Sequence, residues 1–203
     1  LNLFIYLEGG GDTSSQRSRC REGFNKLLEK CEFLKGKMPR LIACGGRANA
    51  FKQFQNALKN SDSQQSFIAM WIDSEDPLPD IENTWHHLKK RIGDEWEKPY
   101  NATDEQVLFM TTCMEALIIA DRNTLTSFFG NKLQENALQP LNDLESKDRH
   151  DLFKQLEHAT RNCKNVYSKG EVSFNILKEL NPQVLEANLP SFKRALRILR
   201  SKS

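Results

Sequence analysis

No stretch of the chain approaches the roughly 18 consecutive apolar residues that a spanning helix needs. Residues Leu1 to Leu7 carry neither a basic start nor a small-residue cleavage site, so no membrane partner is read and a cytoplasmic location is expected. Cysteine is sparse: Cys20, Cys31, Cys44, Cys113 and Cys163 are scattered, odd in number and without a C-x-x-C pair. That pattern argues against a disulfide framework or a structural zinc site. His86, His87, His150 and His158 lack metal-ligand spacing, which turns attention away from histidine chemistry. There is no G-x-x-x-x-G-K-[ST] motif, so any nucleotide-driven switching must come from a separate polypeptide. Nor is there a large charge excess: 29 basic residues face 27 acidic ones, a balance that neither demands nor forbids a polyanionic partner.

What is present fits a soluble α/β domain with at most a small appendage, at 203 residues with 38% hydrophobic and 28% charged. Charge is unevenly spread. Arg17 to Lys52 holds ten basic residues against three acids, and after Glu186 come Lys193, Arg194, Arg197, Arg200 and Lys202 with no acid. Two basic segments flanking an acidic middle are compatible with gripping a phosphate backbone, and equally with solvated helix faces.

Short apolar runs alternate with amphipathic stretches. Leu3 to Leu7, Leu41 to Cys44 and Phe67 to Ile72 each end in glycine or acidic residues, as strands buried on both faces do. Gln106 to Cys113 reads as a fourth strand or as the start of a longer helix through Ala120. Helices are expected over Gln16 to Leu34, around Phe51 to Leu58 and around Ile81 to Ile92. Further helices are expected over Leu117 to Phe129, Asp148 to Val166, Val172 to Leu180 and Ser191 to Leu199; the polar Asn60 to Ser66 stretch reads as a loop. The alternation predicts a parallel sheet of about four strands flanked by helices, because parallel neighbours require crossovers. A core over residues 1–130 and a helical extension over 131–203, packed on it, are expected.

In such folds ligands bind at the carboxyl ends of the strands, and there the sequence is acidic. Glu8-Gly9-Gly10-Gly11-Asp12 follows the first run, Asp73-Ser74-Glu75-Asp76 the third, and Met114-Glu115 the fourth. Carboxylates converging on one edge would repel one another, and a hard divalent cation, Mg²⁺ or Mn²⁺, relieves that repulsion. The alternatives are a flexible turn at Gly9 to Gly11, a capped turn at Asp73 to Asp76 and a first-turn helix acid at Glu115.

The pairing of IYLEGGGD with IAMWIDSED resembles the Toprim domain, in which a Glu after strand one and an Asp-x-Asp after strand three assemble a divalent-metal site. CREGF, ACGGR, DSEDP, MEALIIADR, FFG and YSKGEVSFNIL resemble, more closely, small stand-alone Toprim-like proteins of unknown function encoded beside an ATPase in bacterial defence loci. The resemblance implies a Toprim-like Rossmannoid fold. It places Glu8 at the Toprim glutamate and Asp73 at the first acid of Asp-x-Asp. Glu75 stands where Asp is usual, with Asp76 beside it, so either acid is a candidate ligand. Overcoming-lysogenization-defect nucleases suggest places for Asp12, Glu115 and Lys169.

The expected activity is Mg²⁺- or Mn²⁺-dependent hydrolysis of phosphodiesters in DNA or RNA, as the effector of an anti-phage system working with a separately encoded AAA/ABC-type ATPase. Glu8, Asp73 and Lys169 are the catalytic candidates; Glu8, Asp12, Asp73, Glu75, Asp76 and Glu115 the metal candidates; Gly9, Gly10, Gly11, Arg21 and Arg47 the phosphate-binding candidates. A topoisomerase-type nucleophile is not read, since Tyr6, Tyr100 and Tyr167 sit in no recognisable context for it. The rival reading is a non-catalytic subunit that binds the ATPase; self-association is compatible with either.

Overall fold

A computed structural model describes residues 1–60 and 65–203. Most of the polar stretch read as a loop between Asn60 and Ser66 lies outside the described residues. Four strands, β1 (Asn2–Leu7), β2 (Arg40–Ala43), β3 (Ser66–Asp73) and β4 (Val107–Met110), form one all-parallel sheet in the order β2-β1-β3-β4. Alternation along each strand divides the core. Leu3, Ile5 and Leu7 of β1, with Phe67, Ala69 and Trp71 of β3, face one hydrophobic cluster; Ile68, Met70 and Ile72 face a second.

The crossovers explain why the two faces differ. Helix α1 (Ser14–Glu29) covers the first face through Cys20, Phe24, Leu27 and Leu28, while α2 (Arg47–Asn60) covers the second through Ala50, Phe54 and Leu58, joined there by α3 (Thr84–Lys90). The chain steps from β1 to β2 in one direction and then returns across β1 to β3. Right-handed connections running in opposite directions put their helices on opposite faces, which opens a crevice between the carboxyl ends of β1 and β3.

Helix α1 starts at Ser14, where Thr13 Oγ1 accepts from Gln16 N–H at 3.2 Å, and ends at Glu29 rather than continuing to Leu34. Cys31 and Leu34 remain buried through a single 3₁₀ turn, Glu32–Leu34, so the apolar spacing extended beyond the helix. Strand β4 is four residues long because its one partner runs out: Asp73, the last residue of β3, pairs with Met110. The chain then turns into α4 (Met114–Ala120) and α5 (Arg122–Phe129), two helices where one was expected. Asp121 separates them, its carboxylate accepting from Thr124 N–H at 3.1 Å and Asn181 N–H at 2.8 Å.

The remaining chain forms α6 (Arg149–Thr160), α7 (Glu171–Glu179), α8 (Pro182–Asn188) and α9 (Pro190–Lys202). These helices share the first hydrophobic cluster with the sheet; Trp71 of β3 lies 5.5 Å from the Phe24 ring and 5.9 Å from the Phe192 ring. Position 130/131 therefore runs through a continuous core. Helix α7 packs directly on α1, and the approach requires Gly23: a Cβ there would sit 3.1 Å from the Phe174 carbonyl oxygen. This packing carries the Ser168-Lys169-Gly170 turn to the edge where β1 ends. Among the described residues, no helix is long and apolar enough to cross a membrane.

Candidate functional site

At the crevice, Glu8 follows β1 and Asp73 closes β3. The Leu7–Trp71 register sets them side by side, and Glu8 Oε2 accepts from Asp73 N–H at 3.1 Å. Glu8, Asp73 and Glu75 each present a carboxylate oxygen, and the three oxygens lie within 4.8 Å of one another. Three acids distant or offset in sequence thus meet where the topology opens the sheet.

Their partners are unequal. Arg47, at the start of α2, is a clamp: Nε and Nη2 bond the Asp94 carboxylate at 2.7 and 2.6 Å, and Nη1 reaches Glu8 Oε2 at 3.3 Å and the Asp73 carbonyl. Glu75, held at φ 70°, pairs with Arg91 at 3.3 Å and with Arg149. Asp73 is different. Its Oδ1 is buried and, among the described residues, has no hydrogen-bond partner. Burial, followed by the charges of Glu8, Glu115 and Glu75, pushes its carboxyl well above the usual carboxylate range. Burial also raises Glu8, against the opposing pull of Arg47. Asp73 thus brings a buried oxygen with no partner to a site where Glu8 and Glu75 are already paired with arginines, and an all-oxygen donor set of this kind suits Mg²⁺ or Mn²⁺.

Glu8 and Asp73 open into a cavity of about 310 Å³ whose lining also includes Gly9, Gly10, Gly11, Gln16, Glu115, Lys169, Gly170 and Ser173. Of these lining residues, Glu115 is 1% exposed and stands in the first turn of α4. Its Oε1 accepts from the Tyr167 hydroxyl at 2.9 Å and lies 3.7 Å from Lys169 Nζ. Burial works against the Lys169 ammonium, but Glu115 and Asp73 outweigh it and its pKa is raised.

The glycine loop is closed against the second strand-end pair of glycines: Gly9 N–H donates to the Gly45 carbonyl at 2.8 Å, and Gly45 N–H to the Gly9 carbonyl at 3.0 Å. Gly10, at φ 86°, has no room for a side chain, since a Cβ would meet Arg17 Cα at 2.6 Å.

Placement of the expected residues is mixed. Glu8, Asp73, Glu115, Lys169 and Gly9 to Gly11 share the cavity, while Glu75 joins the acid cluster without lining it. Glu115 is outside that cluster of close oxygens. Asp12 and Arg21 are exposed and outside the lining. Asp76 is turned to Arg91 Nε at 3.1 Å and leaves position two of the acid pair to Glu75. The expected phosphate roles of Gly9 N–H and Arg47 meet competitors: Gly45 already takes the former, and Asp94 and Glu8 hold the latter.

The basic segments are also largely used inside the molecule. Lys30 Nζ bonds the Lys178 and Leu180 carbonyls at 2.6 and 2.9 Å, Arg19 pairs with Glu171, and Arg194, 4% exposed, bonds the Val107 and Asp104 carbonyls at 2.9 and 2.8 Å. Arg197 pairs with Glu82 at 2.6 Å and Lys202 with Glu105 at 2.8 Å. Sequence reasoning missed Asp94, Arg91, Arg149 and Tyr167. Only Tyr167 carried a signal, being two residues before Lys169 in the YSKG motif.

A family model described as a domain of unknown function (DUF4276) matches residues 7–200. No curated protein and no solved structure matches the chain.

Proposed function

The chain belongs to the family of that domain of unknown function (DUF4276), and from the site we propose that it is a divalent-metal-dependent nuclease that hydrolyses phosphodiester bonds of DNA or RNA. The observation that carries this reading is the Asp73 carboxylate, which meets those of Glu8 and Glu75 and whose buried Oδ1 has no partner among the described residues. Glu8, Asp73 and Glu75 are the residues that would hold the ion. A bound Mg²⁺ or Mn²⁺ supplies a Lewis acid and a water acidified enough to attack a phosphodiester.

The chain's own residues supply the rest. Arg47, fixed by Asp94, holds Glu8 Oε2 and the backbone carbonyl of Asp73, so the Glu8 carboxylate and the end of β3 are fixed before any ligand arrives. Lys169 brings a positive charge to the same cavity, 3.7 Å from Glu115, where it would steady a scissile phosphate. Gln16 and Ser173 add polar side chains to the lining. The Toprim resemblance agrees with Glu8 and Asp73 as the central pair, and an ATPase partner belongs to the same proposal.

A specific observation favours the non-catalytic reading: Arg47, Arg91 and Arg149 already neutralise Glu8 and Glu75. On that reading the acids knit the sheet edge together and the chain acts by binding its partner. Incubation of purified protein with plasmid, single-stranded DNA and RNA in Mn²⁺ separates the two. Cleavage by the wild type that is lost in Asp73→Asn supports the nuclease; cleavage retained by Asp73→Asn, or no cleavage with the ATPase present, overturns it.

A further inference from the structure

Tyr167 is buried at 1% exposure, so its hydroxyl is closed to the role of an attacking nucleophile. It nevertheless ends at the cavity wall. Its hydroxyl donates to Glu115 Oε1 at 2.9 Å, the same oxygen that lies 3.7 Å from Lys169 Nζ. The tyrosine is itself fixed from both sides. Its N–H donates to Thr160 Oγ1 at 2.8 Å, and that hydroxyl donates to the Leu156 carbonyl at 2.8 Å, anchoring the segment on the end of α6. Its ring packs edge-on against Phe153 at 5.9 Å, and the Lys169 ammonium rests 5.5 Å from the centre of that same Phe153 ring. A buried side chain thus joins α6, α4 and the turn that carries the cavity lysine.

From this geometry we infer that Tyr167 is the positioning residue of the cavity's cationic wall: it orients Glu115, and through Glu115 it holds Lys169 over the site. Lys169 is a four-carbon side chain, 64% exposed, on a turn, and left to itself would sample many rotamers. Glu115 restrains it, but a buried carboxylate restrains a distant ammonium only if its own oxygens are fixed. Tyr167 fixes Oε1 by a hydrogen bond to a charged acceptor, one of the stronger classes. Among the described residues no hydrogen bond joins these atoms to the Glu8–Asp73–Glu75 cluster; the two walls meet through charge, Glu115 and Lys169 acting on Asp73, and removing the Tyr167 hydroxyl changes none of those charges.

The inference rests on the nuclease reading for its consequence in turnover, and on the hydrogen bond alone for its structure. Tyr167→Phe keeps the ring and removes the hydroxyl. With Mn²⁺ and a single-stranded DNA substrate, turnover is expected to fall about tenfold or more, while Mn²⁺ affinity, measured by calorimetry, stays within about twofold. A merely structural role would not split the two in this way. Ultraviolet resonance Raman of the metal-free protein gives a second arm, since only three tyrosines contribute: the Tyr167→Phe difference spectrum should carry the doublet of a strongly donating phenol, altered in Glu115→Gln. Wild-type turnover in Tyr167→Phe overturns the inference. If the wild type cuts nothing, the nuclease reading fails and the Raman arm decides: a phenol doublet indifferent to Glu115→Gln overturns the positioning role, and a donor doublet that responds supports it.

Discussion

The two sides of the crevice treat their acids differently. On the Arg47 side, Glu8 and Asp94 share a bidentate, nearly buried guanidinium, and Glu75 lies between Arg91 and Arg149. On the Glu115 side, one lysine 3.7 Å away and one phenol serve a buried carboxylate, and Asp73 keeps an oxygen with no partner among the described residues. The first arrangement is what stability asks of buried charge, complete pairing with good geometry. The second leaves electrostatic demand unmet, which a protein retains where a ligand will meet it. The comparison separates acids that build the site from the acid that waits for something.

Breaking each side should therefore give opposite signatures. Asp73→Asn should lower Mn²⁺-dependent cleavage by about 10³-fold or more, several kcal/mol of lost transition-state stabilisation, while urea unfolding of the metal-free variant shows stability equal to or above the wild type. Arg47→Ala should do the reverse in the first instance. It leaves Asp94, whose side chain is 1% exposed, with Arg91 at 3.3 Å in place of the bidentate pair, and the same urea experiment should show a loss of up to about 3 kcal/mol.

Acidity sharpens the contrast. The folded protein holds Asp73 and Glu8 protonated at pH values where the unfolded chain has released those protons, so raising the pH favours unfolding of the metal-free protein and favours ion binding. Mn²⁺ affinity should consequently rise between pH 5 and pH 8. Glu145 provides a control that is not part of the acid cluster: burial pushes its carboxyl up to about 7, although it accepts from Ser191 N–H at 3.0 Å. Its contribution is present below the ordinary carboxylate range and is lost as pH climbs through about 7. Glu145→Gln should flatten the urea-derived stability profile over that window by up to about 1.4 kcal/mol per pH unit and leave Mn²⁺ affinity alone. The smallest effect is expected at Asp12, exposed and outside the cavity lining: Asp12→Asn should change Mn²⁺ affinity less than twofold by calorimetry.

How far the sequence could be read follows the range of the interactions involved. The strands were legible because runs such as Phe67 to Ile72 alternate between two buried faces and stop at acids. Glu8 and Asp73 were legible because a strand end is a local feature and the topology rule supplies the rest. Helix ends were less so: Cys31 and Leu34 continue the apolar spacing after α1 has ended, and α8, opened by Asn181 and Pro182, is a seven-residue helix whose start looked like a break. The fate of the arginines was not legible. Nothing near Arg47 announces Asp94, 47 positions away, and nothing near Glu75 announces Arg149, 74 positions on. Basic density over Arg17 to Lys52 and in the tail suggested a phosphate-binding surface, whereas Lys30 bonds the Lys178 and Leu180 carbonyls and Arg194 is buried on the Val107 and Asp104 carbonyls.

The central claim, that the orphaned oxygen of Asp73 marks a cation site, is tested most directly by titrating the metal-free wild type and Asp73→Asn with Mn²⁺ in a calorimeter at pH 8. Saturable binding by the wild type that disappears in a folded Asp73→Asn is the predicted result. A wild type that takes up no ion, or a variant that binds as tightly, would contradict it.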